Sequence, residues 1–165
     1  MKKPRAFVSD ADAMIDFVTA AREVVPLIAQ HLAPIFMPQG VFQEIEKLDR
    51  ALCRKLKIQV YEPILEEAAA AALLSHPRSP NDRMCLHLGI RHERVVVTND
   101  KQLRLCCANV GVTTTRGLGL LKSPVDRDII TPAIGIKHAT AIHKANPLYI
   151  TAQLVEEFTR SLTGR

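Results

Sequence analysis

Short β-branched runs that stop at a carboxylate recur along this chain. RVVVTN, residues 94–99, sets three consecutive valines before a threonine, the composition of a strand buried on both faces. The run meets Asp100, and helical spacing starts at once in DKQLRLCCANVG, closed by Gly111. The same succession occupies the N-terminal end, where RAFVS predicts a first strand, Asp10 follows it, and AMIDFVTAA continues as an apolar helix. VVPLIAQHL predicts a second helix and PIFM a short strand. PQGVFQEIEKLDRALCRKL reads as helix on the spacing of Val41, Ile45, Leu48 and Leu52. KIQVYE is a strand or an edge strand, and PILEEAAAAALL is a helix on propensity alone. SPNDRMCLHLGIRH opens with Ser79 at the cap and Pro80 at the first helical position. VTTT supplies a last short strand.

Strands alternating with helices of this length predict a three-layer α/β/α fold around a mostly parallel sheet of four or five strands. The pattern changes after Leu121. Two helices, around Ala133–His143 and Ile150–Leu162, have no strand between them. The expected organisation is a domain over residues 1–122 and a helical extension over 123–165 packed on it. Ile150, Leu154, Val155, Phe158 and Leu162 form the apolar stripe of the last helix that would make that contact.

Composition narrows the function classes. The chain has 165 residues, 47% of them hydrophobic, enough for one full core. Lys+Arg less Asp+Glu is 22 − 17 = +5, a weak pointer to a polyanionic partner. Aromatics are 4% with no tryptophan, which argues against an aromatic platform as the main binding device. The four cysteines form no CxxC pair, so neither a disulfide framework nor a zinc site is expected. Asp10 cuts the first apolar run short of a signal peptide, and the longest purely apolar run, 68–74, is too short to span a bilayer. The expectation is a cytoplasmic protein with no membrane segment.

The carboxylates carry the remaining chemistry. Asp10 and Asp100 each end a strand, at the edge where open parallel sheets build their sites. Asp82 lies in the first turn of the helix capped by Ser79, and Glu44 follows Gly40 by four positions. Taken singly each has a structural explanation, as a helix cap or as a charge suited to a helix N-terminus.

Their joint order resembles the PIN-domain nucleases, closest to the bacterial VapC-like toxins. FVSDADAMIDF, PQGVFQEIEKL, SPNDRMCLHLGI and RVVVTNDKQLR carry the resemblance, from Phe7 to Arg104. It implies that Asp10, Glu44, Asp82 and Asp100 are a catalytic quartet holding Mg²⁺ or Mn²⁺, with Thr98 and Asn99 in support. Ala11 and Asp12 stand where the family has Thr followed by Asn or Ser, so Asp12 is either a further ligand or a surface charge, with a supporting role favoured. Gly89 takes the place of a small alanine, and Glu46 competes with Glu44 but lacks its spacing from Val41.

All-oxygen ligands suit Mg²⁺ or Mn²⁺ over zinc, and such ions assist phosphodiester hydrolysis. The resemblance implies an RNA substrate and a cognate antitoxin, and a homodimer is expected. Arg83, Lys101, Arg104 and Arg116 are the candidate phosphate contacts. Two alternatives remain open: a haloacid-dehalogenase-like phosphatase using Asp10 and Asp12, and a non-catalytic PIN-like RNA-binding regulatory module.

Overall fold

The computed structural model describes residues 4–163. Five strands, β1 (Phe7–Ser9), β2 (Ile35–Pro38), β3 (Ile58–Tyr61), β4 (Val95–Val97) and β5 (Thr114–Thr115), form one sheet in the order β3-β2-β1-β4-β5. Every pairing is parallel. Val8, Ile35, Val96 and Val97 are fully buried, as strands covered on both faces must be. From β1 the chain winds through β2 to β3 on one side, then returns to place β4 and β5 on the other. The switch in winding therefore falls between β1 and β4, the place where an open α/β sheet forms a crevice.

Ten helices are present among the described residues. α1 (Ala11–Ala20), α2 (Val24–His31), α8 (Gly117–Val125), α9 (Pro132–Ala145) and α10 (Ala152–Thr163) pack with one another. α5 (Leu65–Ala72), α6 (Pro80–His92) and α7 (Lys101–Asn109) form a second group, in which α6 lies across β1, β2 and β4. Gly89 permits that approach: a Cβ there would stand 2.7 Å from Val112 Cγ1 and 3.0 Å from Val96 Cγ2. No helix among the described residues is long and apolar enough to cross a membrane.

Residues 39–56 correct the helix read from their spacing, because they form two helices, α3 (Gln39–Glu44) and α4 (Arg50–Leu56). Ile45 leaves the helical region at φ −100°, ψ 90°, and Asp49 caps α4 by accepting from Leu52 N at 2.6 Å. Val41, Ile45 and Leu48 are still buried. The apolar spacing thus reported the face that meets the core and not the continuity of the backbone.

α8 runs through position 122, where the sequence pattern placed a boundary. Its Leu120, Leu121 and Val125 join the same core cluster as Ile142, Phe158 and Leu162. Gly135 lets α9 cross its neighbours closely, since a Cβ there would meet Val125 Cγ2 at 2.8 Å. Within the stripe of the last helix, Ile150, Phe158 and Leu162 are buried, and Leu154 and Val155 are half-buried.

Candidate functional site

Parallel pairing of β1 with β4, Ser9 opposite Val97, fixes the first pair of acids. Asp10 N donates to Val97 O at 3.0 Å, which continues the ladder one residue past the strand and sets Asp10 beside Thr98. Asp10 then turns into α1 as its cap, with Oδ1 accepting from Ala13 N at 2.9 Å. Asp100 does the same for α7, accepting from Leu103 N at 2.6 Å. Thr98 is fully buried; its Oγ1 accepts from Asp100 N at 3.0 Å, and its side chain is hydrogen-bonded to the Asp10 carboxyl. One hydroxyl thereby couples the two aspartates.

The other acids arrive from helices. Asp82 sits in the first turn of α6, its N–H bonded to the Ser79 hydroxyl at 3.3 Å. Glu44 is the last residue of α3 and exposed. Asn81 Nδ2 donates to Glu44 Oε1 at 2.6 Å, tying the end of α3 to the start of α6. The contact needs Gly40, because a Cβ there would lie 2.1 Å from Asn81 Oδ1.

Asp10, Asp12, Glu44, Asp82 and Asp100 border one polar cavity of about 180 Å³. Burial pushes the Asp10 carboxyl up to about 7, with Asp12 and Asp82 adding to the rise against the opposing Thr98 and Ala13 bonds. Asp82 is pushed up to about 6 by partial burial and then by the negative charges of Asp100, Glu44 and Asp12. Such a group favours binding either protons or a cation.

The donor set fits a hard divalent ion: it is all oxygen, borders one space and is repulsive on its own. It is not a closed cage, since no three His, Cys, Asp or Glu side chains among the described residues stand together as a ready-made metal cluster. Mg²⁺ keeps several waters and takes only one or two direct carboxylates, so an open rim suits it.

The remaining expected residues separate. Asp12 is exposed in the first turn of α1 and faces the cavity. Asn99 is turned away from it: Oδ1 accepts from Gly117 N at 3.0 Å and Nδ2 donates to Asp16 Oδ2 at 3.2 Å. Arg104 and Arg116 border a neighbouring groove, whereas Lys101 and Arg83 line neither space. Arg83 Nε is buried with no hydrogen-bond partner among the described residues. Glu46 borders a different, mainly apolar pocket.

Two contributors escaped the sequence reading. Asn81 stands directly before Asp82 in SPNDR, and adjacency to a candidate acid was the signal it offered. Asp16 is buried and joins Asn99 to Asn146, whose Nδ2 donates to Asp16 Oδ1 at 2.8 Å. It thereby pins the end of α9 behind the site, and its presence in MIDF hinted at a role without naming a partner.

Neither a scan of protein-family models nor a search of curated proteins returns a match to this chain.

Proposed function

We propose that this chain is a PIN-like ribonuclease that hydrolyses RNA phosphodiester bonds with Mg²⁺ or Mn²⁺. The observation that carries the reading is one cavity at the winding switch of the sheet, bordered by Asp10, Glu44, Asp82 and Asp100. These four residues would hold the ion, and Asp12 would add charge at the rim. When bound, the ion would polarise a phosphate oxygen and lower the pKa of bound water.

The protein's own groups divide the remaining work. Thr98 and the Ala13 amide hold the Asp10 carboxyl in place. Asn81 fixes Glu44, and the Leu103 amide fixes Asp100. Preset donors of this kind spare the cost of reorganisation during reaction. Arg104, beside the acids, supplies positive charge where a phosphate backbone would enter. By the same reading the protein works in the cytoplasm as the toxin of a pair, held in check by an antitoxin that covers the acidic rim.

Incubation of the purified protein with RNA and Mg²⁺, Mn²⁺ or EDTA tests the proposal. Cleavage should require the metal and vanish in Asp10→Asn. Growth arrest on overexpression should vanish with the same substitution. A phosphoryl group trapped on Asp10 would replace this reading with a phosphatase, and metal-insensitive RNA binding without cleavage would replace it with a non-catalytic module.

A further inference from the structure

A second opening lies one residue away from the acidic cavity. Asp100 borders the cavity, and Asn99 borders a groove of about 610 Å³ that runs between α7, α8 and the C-terminal helix α10. The near wall is cationic. Arg104 Nη1 donates to the Asn99 carbonyl at 2.6 Å and to the Thr98 carbonyl at 3.5 Å, which fixes the guanidinium without an ion pair. Its guanidinium feels the charges of Asp100 and Asp10 at the cavity as well as that of Arg116, which borders the same groove. Arg116 is exposed at the start of α8 and has no ion pair among the described residues. Further along α8, Lys122 shares its ammonium with Asp126 at 2.5 Å.

The far wall is different in kind. Leu154 and Phe158 of α10 give it an apolar lining, and Tyr149, in the turn before α10, exposes 75% of its surface. Glu157 puts a carboxylate on the same wall. A polyanionic backbone is therefore favoured along Arg104, Arg116 and Lys122 and disfavoured opposite them. An exposed aromatic ring bordering the same groove provides a stacking surface for a base.

We propose that this groove seats a single strand of RNA leading away from the acidic cavity, phosphates along Arg104, Arg116 and Lys122 and a base against Tyr149. The proposal rests on the ribonuclease reading and adds to it a role for the C-terminal helix α10 and the turn before it, which supply one wall of the channel. It also favours an unpaired segment, because a base inside a duplex is stacked on both faces and cannot turn one to Tyr149.

The test uses Asp10→Asn protein, so that the probe stays intact, and a fluorescent oligouridine about a dozen nucleotides long, within the usual range for one such groove. Anisotropy is read over a series of NaCl concentrations beside a blunt RNA duplex of equal length. Arg116→Gln should weaken strand binding and lower the salt slope by about 0.7. Tyr149→Ala should weaken it roughly tenfold with the slope unchanged. Both side chains are exposed, and thermal melts check that the variants stay folded. Arg5→Gln removes the same charge at the opposite end of β1, where Arg5 pairs with Glu93 at 2.9 Å, and should leave binding as it was.

Parental affinity and slope in both groove variants, or duplex binding equal to strand binding, would overturn the channel. RNA cleavage by otherwise wild-type protein that is indifferent to both substitutions would overturn the channel and keep the nuclease. Strand binding that needs both residues, in a protein that never cleaves with either metal, would keep the channel and overturn the nuclease.

Discussion

Asp100 caps α7 and is proposed as a ligand, and the chemistry of the two roles can be separated. As a cap it needs an acceptor oxygen for Leu103 N, and asparagine supplies one about as well as aspartate. As a ligand it needs its charge. Asp100→Asn should therefore keep α7 intact, at a cost of roughly 0.3–1 kcal/mol in lost dipole interaction. Relief of Asp82, which Asp100 repels, should offset that cost in metal-free protein. Cleavage should fall by orders of magnitude. Normal cleavage and normal metal stabilisation in this variant would leave Asp100 a cap and nothing more. Thr98→Val tests the hydroxyl that couples the two aspartates. It leaves the half-buried Asp100 N–H without its hydroxyl partner and removes a bond from Asp10, so urea denaturation should show a loss of about 0.5–1.5 kcal/mol. A loss well below that range would mean that water or a small backbone shift replaces the hydroxyl.

At the scale of elements, the site depends on α3 and α6 meeting closely at Gly40. In Gly40→Ala the new Cβ would overlap Asn81 Oδ1, the free end of a short side chain that can swing aside. Alanine suits a helix better than glycine by about 1 kcal/mol, so the fold should tolerate the change. Glu44 would lose its Asn81 partner, and a misplacement of that size should cost about 10–100-fold in cleavage at a nearly constant melting temperature. Unchanged cleavage would remove Asn81 and Glu44 from the working set. The same elements show what a sequence discloses. The strands, and the acids that end β1 and β4, were legible because a valine run and a capping aspartate are local signals. α8 was missed because Gly117, Gly119 and Pro124 weaken helix propensity, and burial of Leu120, Leu121 and Val125 overrides it. Asn81 with Glu44 and Asp16 with Asn146 are pairings across the fold, separated by 37 and 130 positions, and no local spacing encodes them.

For the molecule as a whole, the acidic cavity ties stability to protons and, under the proposed reading, to metal through the same groups. The native Asp10 carboxyl holds its proton up to about 7, while an unfolded chain releases it near the ordinary value of 3.8. Between those values the native state binds the extra proton, so raising the pH through that window lowers stability. One such group imposes a slope of up to about 1.4 kcal/mol per pH unit. Asp82, raised to about 6, adds in the same direction over the lower part of the window. Metal-free protein should therefore melt at a higher temperature near pH 5 than near pH 8, and Asp10→Asn should flatten the difference. Titrating groups away from the cavity are common to both proteins, so the comparison isolates Asp10 together with its coupling to Asp12 and Asp82. Under the proposed reading, Mg²⁺ or Mn²⁺ would compete for the same oxygens. The added stability, RT ln(1 + [L]/Kd), should be large near pH 8 and shrink toward pH 5, where protons occupy the site. Thermal melts of both proteins over that range, in EDTA and in metal, read out all four limbs. A flat melting profile in EDTA that Asp10→Asn leaves unchanged would show that burial does not hold the Asp10 carboxyl protonated in solution. A metal increment equal at both ends of the range would place the ion elsewhere on the molecule.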